Sequence, residues 1–154
     1  MFVQIVKNIT PTGAKKFANI VYYNFINLSK YKDLQHTEKE IERLIIDPKS
    51  LILLMIDNKK IAGYMLAETK QLNDGRFVLY INYILTSKRY RNKGVATKLM
   101  SFGEKYSKHK GCDGILLTCD VENEYVNNFY LMKGFMPDMH LRRYHKYDVM
   151  YKSL

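Results

Sequence analysis

The sequence predicts an α/β fold: one mixed, mostly antiparallel sheet of about seven strands flanked by about four helices. Three observations carry this expectation. Short continuous or alternating apolar runs, which suit strands, take turns along the chain with apolar residues at i, i+3, i+4 spacing, which suits helices. Capping and turn residues stand at the switches between the two patterns. The 154 residues are 47% apolar, enough to bury a core, and no linker, repeat or low-complexity stretch divides them. A single domain over residues 1–154 is expected.

Residues 2–7 (FVQIVK) alternate and predict a strand. Ala14, Phe17, Val21 and Leu28, with Ala18 and Phe25 beside them, predict a helix from Thr12 to about Leu28. Thr37-Glu38-Lys39-Glu40 is a capping box and opens a second helix, with Ile41, Leu44 and Ile45 as its apolar stripe. Residues 51–57 (LILLMID) read as a buried strand, and the turn at Asn58-Lys59-Lys60 folds it back onto another over 61–68. Asn73-Asp74-Gly75 makes a further turn, and 77–86 is a third long strand. Val95, Leu99, Phe102 and Tyr106 then mark one face of a helix that ends at Gly111. Residues 115–119 form the next strand, and 124–133 a helix stopped by Gly134. Residues 135–142 and 145–152 are expected to close the sheet as a pair of strands.

Composition narrows the function classes. No run approaches the roughly 20 apolar residues of a membrane span, and the N-terminus lacks a signal-peptide pattern. A cytoplasmic protein with no membrane partner is therefore expected. Cys112 and Cys119 show no metal-ligand spacing, and neither do histidines 36, 109, 140 and 145, so no metal is expected. A disulfide between the two cysteines would have to close across one extended strand, which its geometry forbids. The net charge of +10 favours polyanions: nucleic acid, acidic proteins or a phosphate-bearing cofactor. Charge alone argues for nucleic acid, since no recognised binding motif accompanies it.

The informative segment is Thr86-Ser-Lys-Arg-Tyr-Arg-Asn-Lys-Gly-Val-Ala-Thr97, running from a strand through a short loop into a helix. A helix start exposes backbone N–H groups without intrahelical acceptors and carries partial positive charge. Gly94 lets an anion approach, Ala96 keeps the first turn uncrowded, and Arg91 and Lys93 add charge. The segment is neither a G-x-x-x-x-G-K-[ST] nor a G-x-G-x-x-G loop. Taken alone it reads equally well as a basic helix start.

A second segment, Val121 to Phe135, decides between these readings. Arg91-x-x-Gly94-x-Ala96 after a strand matches the [QR]-x-x-G-x-[GA] signature of the GNAT superfamily of N-acetyltransferases. Asn123, Tyr130 and Gly134-Phe135 match its second signature. With both in order after a β-hairpin, the chain resembles that superfamily from about residue 2 to 152.

The resemblance implies acetyl-CoA as co-substrate and a splayed central strand pair. Backbone at Ile84, Leu85 and Thr86 would pair with the pantetheine arm. Amides of Asn92, Lys93, Gly94, Val95, Ala96 and Thr97 would hold the pyrophosphate, with Arg91 alongside. Asn123 would contact the arm or order the loop near it. Tyr130 is implied as the catalytic residue, near the thioester sulfur, assisting departure of the thiolate. The implied reaction is direct attack of a neutral primary amine through a tetrahedral oxyanion, stabilised by a backbone N–H near Ile84 or Leu85.

The sequence departs from the pattern at the base. Tyr80 and Thr118 stand where two branches of the superfamily place a glutamate. Asp120, Glu122 and Glu68 are the substitute carboxylates, and water ordered by Tyr80 and Asn82 is the other route. Cys119 reads as a packed thiol. The acceptor is an unidentified amine, of a small molecule or a protein. In similar proteins its wall comes from the first two helices, here Tyr22, Tyr23, Tyr31 and the acidic Glu38, Glu40 and Glu42. The C-terminal hairpin often borders it, which brings in Arg142, Arg143 and His145. Dimerisation is common in similar proteins. The alternative function is a non-catalytic acyl-CoA-binding or RNA-associated module on the same fold.

Overall fold

A computed structural model describes residues 1–26, 35–120, 122–144 and 148–154, with side chains outside 142–144. In chain order the elements are β1 (Phe2–Ile5), α1 (Pro11–Phe25), α2 (Glu38–Ile46), β2 (Ser50–Asp57), β3 (Lys60–Gln71), β4 (Phe77–Thr86), α3 (Val95–His109), β5 (Gly114–Thr118), α4 (Glu124–Met132), β6 (Met136–Pro137), α5 (Met139–Tyr144) and β7 (Val149–Ser153). The seven strands run β1-β2-β3-β4-β5-β7-β6 in one mixed sheet, as the predicted fold class requires. The chain forms two compact units, Met1–Glu68 with Tyr83–Met100 and Thr69–Asn82 with Ser101–Leu154, and β3, β4 and α3 each pass through both.

The first unit follows the predicted elements closely. Thr10 caps α1 by accepting the Gly13 N–H at 3.0 Å, one turn before the first buried alanine. The Thr37–Glu40 capping box is present in both directions. Asn58 and Lys59 take φ of 47° and 65° between the paired residues Asp57 and Lys60, which makes the β2–β3 connection a two-residue hairpin turn of the type matched to strand twist. Ala14, Phe17, Ala18 and Val21 of α1 and Ile41 and Ile45 of α2 bury their faces against Ile52, Tyr64 and Leu66 of the sheet. The predicted Leu28 lies outside the described residues.

In the second unit β5 pairs in parallel with β4 over Val78–Ile81 and antiparallel with β7. The Tyr151 ring lies over Gly114, where an added Cβ would stand 2.3 Å from the ring. Val78, Leu116 and Val149 form the buried centre of this side, with Tyr80 and Tyr151 packed on it. The α3 stripe is rotated from the predicted one: Val95, Leu99, Met100 and Ser107 are buried, whereas Phe102 and Tyr106 are half-buried. Ser107 satisfies itself by donating to the Gly103 carbonyl at 2.7 Å.

The predicted closing hairpin is corrected. Residues 135–142 do not form a strand: β6 is two residues long, and α5 follows at once. Pro137 cannot donate to a ladder, and Asp138 starts a helix by accepting the Leu141 N–H at 3.0 Å. Arg142 and Arg143 therefore stand on α5 rather than on a strand, and His145 lies outside the described residues.

Asp138 also takes a 2.6 Å ion pair from Arg76, with its side chain only 5% exposed. Arg76 is further held by Asp74 at 2.7 Å and stacks over the Tyr151 ring at 4.4 Å. Asp138→Ala is expected to cost about 2 kcal/mol, discounted because Arg76 keeps Asp74 and some solvent. Thermal unfolding should record a fall of roughly 4–8 °C in Tm. An unchanged Tm would show that the pair and the cap contribute nothing net.

Candidate functional site

The first unit contains the strand–loop–helix segment. The β4–β5 ladder ends at Ile81–Leu117, while β4 itself continues to Thr86. Beyond it the chain is tied to β3: the Ser87 N–H donates to the Ala62 carbonyl at 2.8 Å, and Ser87 Oγ to that of Ile61 at 3.2 Å. A 3-10 turn over Lys88–Tyr90 follows, which brings Tyr90 to the same cavity wall as Asp57 at the β2 end. Close packing holds the other side. Gly63 of β3 lies so near β4 that a Cβ would meet the Leu85 carbonyl oxygen at 2.6 Å and Val95 Cγ1 at 2.7 Å.

Asn92 and Gly94 take φ of 62° and 78°, and α3 begins with the Lys98 N–H bonded to the Gly94 carbonyl at 3.0 Å. Thr10, Thr37 and Asn123 cap α1, α2 and α4 with side-chain oxygens. Gly94 has no side chain to do the same for α3, and a Cβ there would meet nothing within 4 Å. The N–H groups of Val95, Ala96 and Thr97 are thus without intrahelical acceptors beside open space, in a partial positive field. Arg91 and Lys93 are exposed around the turn. A cavity of about 320 Å³ beside it is lined by Asp57, Asn58, Lys60, Arg89, Tyr90 and Lys93, with three cations against one acid. The segment fits a pyrophosphate.

The second unit contains the other predicted residues. Asn123 is the N-cap of α4, its side-chain oxygen accepting the Val126 N–H at 3.2 Å. Its side chain thus orders the turn that opens α4. Asp120 accepts the Glu122 N–H at 3.0 Å, so one carboxylate oxygen serves the same turn. Tyr130 is 8% exposed, in edge-on contact with Phe129 at 5.3 Å and Phe135 at 5.5 Å. The Phe135 N–H bonds back to the Tyr130 carbonyl at 3.0 Å, and Gly134 takes φ of 93°. This closes the helix and fixes the tyrosine. Burial pushes the Tyr130 hydroxyl well above the ordinary tyrosine range, and Cys119 nearby adds to the shift.

The predicted site residues therefore fall into two sets: residues 84–97 belong to one unit, and Asn123 and Tyr130 to the other. Tyr80 packs on the Val78–Leu116–Val149 cluster with Lys70 Nζ 5.3 Å above its ring, and Thr118 pairs with Val149. Both cysteines are free thiols, Cys112 buried and Cys119 half-buried. Tyr22 is half-buried against the α1–α2 core, Tyr23 is 65% exposed, and Tyr31 lies outside the described residues. Glu38 accepts from Asn19, and Glu40 is held below the usual carboxylate range by its hydrogen bonds from Thr37, so two of the acidic residues have local partners. Among the described residues no group of three or more His, Cys, Asp or Glu is placed to hold a metal ion. No described helix is long and apolar enough to cross a membrane.

One feature escaped sequence reasoning. His36 Nδ1 and the Tyr83 hydroxyl are 2.6 Å apart, though 47 positions separate them in the chain. No spacing rule joins residues so distant.

The fold and these two segments define an acetyltransferase class. The chain belongs to the acetyltransferase (GNAT) family, whose profile matches residues 20–135. Acetyl-CoA is the acyl donor of that family. The chain is 30% identical over 90 residues to N-alpha-acetyltransferase 30 of Schizosaccharomyces pombe, a match covering 58% of this chain and 60% of that protein. Among solved structures it is similar to a chain of the NatC complex bound to Gag peptide and CoA. That similarity has a TM-score of 0.74 at 22% identity, covering 100% of this chain and 99% of the other. It is also similar to a GNAT-family acetyltransferase of Staphylococcus aureus Mu50, with a TM-score of 0.69 at 20% identity and 99% of each chain covered.

Proposed function

We propose that this chain transfers an acetyl group from acetyl-CoA to the α-amino group at a peptide or protein N-terminus. The observation that carries the donor half is the α3 start: a helix N-terminus with glycine in place of a side-chain cap, open space above it and cations around it. The similarity to N-alpha-acetyltransferase 30 and to a chain of the peptide-bound NatC complex supports the acceptor class and association with other protein chains.

Acetyl-CoA, when bound, supplies the acetyl group as a thioester. The chain's own residues account for the rest. Val95, Ala96 and Thr97 N–H groups, with Arg91 and Lys93, hold the diphosphate. Backbone at Ile84, Leu85 and Thr86, beyond the end of the β4–β5 ladder, pairs with the arm and offers an N–H to the developing oxyanion. Tyr130 donates a hydrogen bond where thiolate charge develops. Asn123 orders the turn that precedes Tyr130's helix.

Purified protein mixed with acetyl-CoA and an amine panel, with free thiol followed, tests the proposal. The panel holds N-terminal peptides, lysine peptides, polyamines, amino acids and aminoglycosides. Release driven by N-terminal peptides is the expected result. Release with another amine class alone would replace the acceptor, and acetyl-CoA binding without release would favour the binding module. Failure to bind acetyl-CoA would remove the donor site.

Gly94→Ala probes that site directly. Its φ of 78° is one that L side chains rarely adopt, and the strain is of order 1–2 kcal/mol. Acetyl-CoA affinity measured by calorimetry should fall about tenfold. Unaltered affinity would place the diphosphate elsewhere.

A further inference from the structure

The acetyltransferase reading lacks a base, since the acceptor must lose a proton before it can attack. No carboxylate occupies either precedented position, where Tyr80 and Thr118 stand. We propose that the Tyr83 hydroxyl takes this proton while passing its own to His36, so that the two act as a relay. The inference rests on the reading above and supplies its missing part.

The pair lies within the first unit, Tyr83 on the strand proposed to bind the donor and His36 just before α2. Tyr83 directly precedes Ile84 on β4, and its hydroxyl is 2.6 Å from His36 Nδ1. The rings meet at 5.8 Å in an edge-on arrangement, and Phe25 of α1 packs on Tyr83 at 4.9 Å. Both residues are half-buried, which leaves the pair partly open to solvent.

The backbone around His36 is fixed on either side. Thr37 is locked by the capping box, with the Thr37 N–H to Glu40 Oε1 and the Glu40 N–H to Thr37 Oγ1 both at 3.2 Å. Gln35 Nε2 donates to the Ile26 carbonyl at 2.7 Å. Tyr64 of β3, close enough to Tyr83 for their charges to interact, donates a hydrogen bond to Asn24 Oδ1 at 2.8 Å. Among the described residues, ionisable groups that face the pair include Glu40 on the α2 side and Tyr64 on the β3 side, while α1 contributes Asn24 and Phe25. Glu40, held below the usual carboxylate range chiefly by its bonds from Thr37, also interacts with His36.

The proton balance is complete. An ammonium N–H passes its proton to the Tyr83 oxygen as the Tyr83 O–H proton passes to His36 Nδ1. Tyrosine ends neutral, the amine neutral and the imidazole singly positive, and the imidazolium then releases its proton to water. Tyrosine alone would have to work as phenolate, whose reference pKa is near ~10. Imidazole is the side chain whose charge ordinarily changes between pH 5 and 8. Tyr83 would touch the amine, and His36 would act through Tyr83.

The test uses the full chain, acetyl-CoA and two kinds of nucleophile: the best peptide amine of the panel, largely protonated below neutral pH, and hydroxylamine, largely neutral there. Variants are Tyr83→Phe and His36→Gln, the latter keeping a hydrogen-bonding side chain that cannot carry the proton. Expected is a fall of about 10²-fold in kcat/KM for the peptide amine, steepest at low pH and with the acid limb of the pH profile altered. Hydroxylamine transfer should stay within about threefold, because it needs no such base. Equal losses with both nucleophiles, or a higher peptide KM with kcat and pH profile intact, would overturn the relay and make the pair part of the acceptor wall. Unchanged kinetics would overturn it too. Wild-type protein that transfers to no amine would instead sink the acetyltransferase reading itself, and the relay with it.

Discussion

Replacing Tyr130 by phenylalanine should lower kcat for acetyl transfer by about 10²–10³-fold, the usual effect of losing one preorganised donor to a developing charge. Acetyl-CoA affinity should change little. Phenylalanine keeps the edge contacts that Tyr130 makes with Phe129 and Phe135, so the helix end and the fold should survive. What disappears is one O–H group.

The nature of that group's work follows from its surroundings. Reference values near ~10 for tyrosine and ~8.5 for a thiol already make full proton transfer to a thiolate uphill by about 2 kcal/mol. Burial, with Cys119 adding to it, raises the Tyr130 hydroxyl further and widens the gap. In the proposed reaction the hydroxyl would therefore keep its proton and act by hydrogen bonding. Because a raised pKa preserves the neutral form to higher pH, no basic limb from Tyr130 should appear in the kcat profile up to about pH 10. Steady-state thiol release from pH 6 to 10, with calorimetry for the donor, measures both. An unaffected kcat in Tyr130→Phe would leave Tyr130 a packing residue.

Gly63→Ala should damage the donor site from outside it. A Cβ at position 63 would lie 2.6 Å from the Leu85 carbonyl oxygen, 2.7 Å from Val95 Cγ1 and 3.4 Å from Thr86 Cα. The first contact is with backbone and cannot rotate away. Relief requires β4 and the first turn of α3 to move off β3, and these are the segments proposed to hold the pantetheine arm and the diphosphate. Overpacking of this kind costs about 1–3 kcal/mol. Acetyl-CoA affinity should fall at least tenfold, with kcat reduced because Leu85 and Thr86 move with the strand. Calorimetry and kinetics on a variant that still unfolds cooperatively would show this. Wild-type affinity would mean that the donor segment does not depend on its contact with β3.

Gly63 also shows where sequence reasoning stops. A lone glycine in a strand signals close approach without saying what approaches. The Gly94 turn was legible because its requirement is local: strand, basic loop, glycine and helix start follow one another in the chain. The helix that carries Tyr130 was legible through Gly134, which stops it. The Thr37 cap was legible for the same reason.

The failures share the opposite property. Residues 135–142 suit a strand by apolar content, yet Asp138 is drawn into an ion pair with Arg76, 62 positions away, and into capping α5. The stripe on α3 shifts toward Met100 and Ser107 because packing neighbours, and not periodicity alone, choose the buried face. By itself the sequence determined the order and type of most elements, including the glycine turn into α3 and the helix that carries Tyr130, since capping, turn and periodicity preferences act over a few residues. Tertiary structure alone decided that β3 presses on β4 and the start of α3 at Gly63, that Arg76 meets Asp138, and that His36 meets Tyr83. Contacts between distant positions depend on how strands and helices are brought together, and no local preference encodes that.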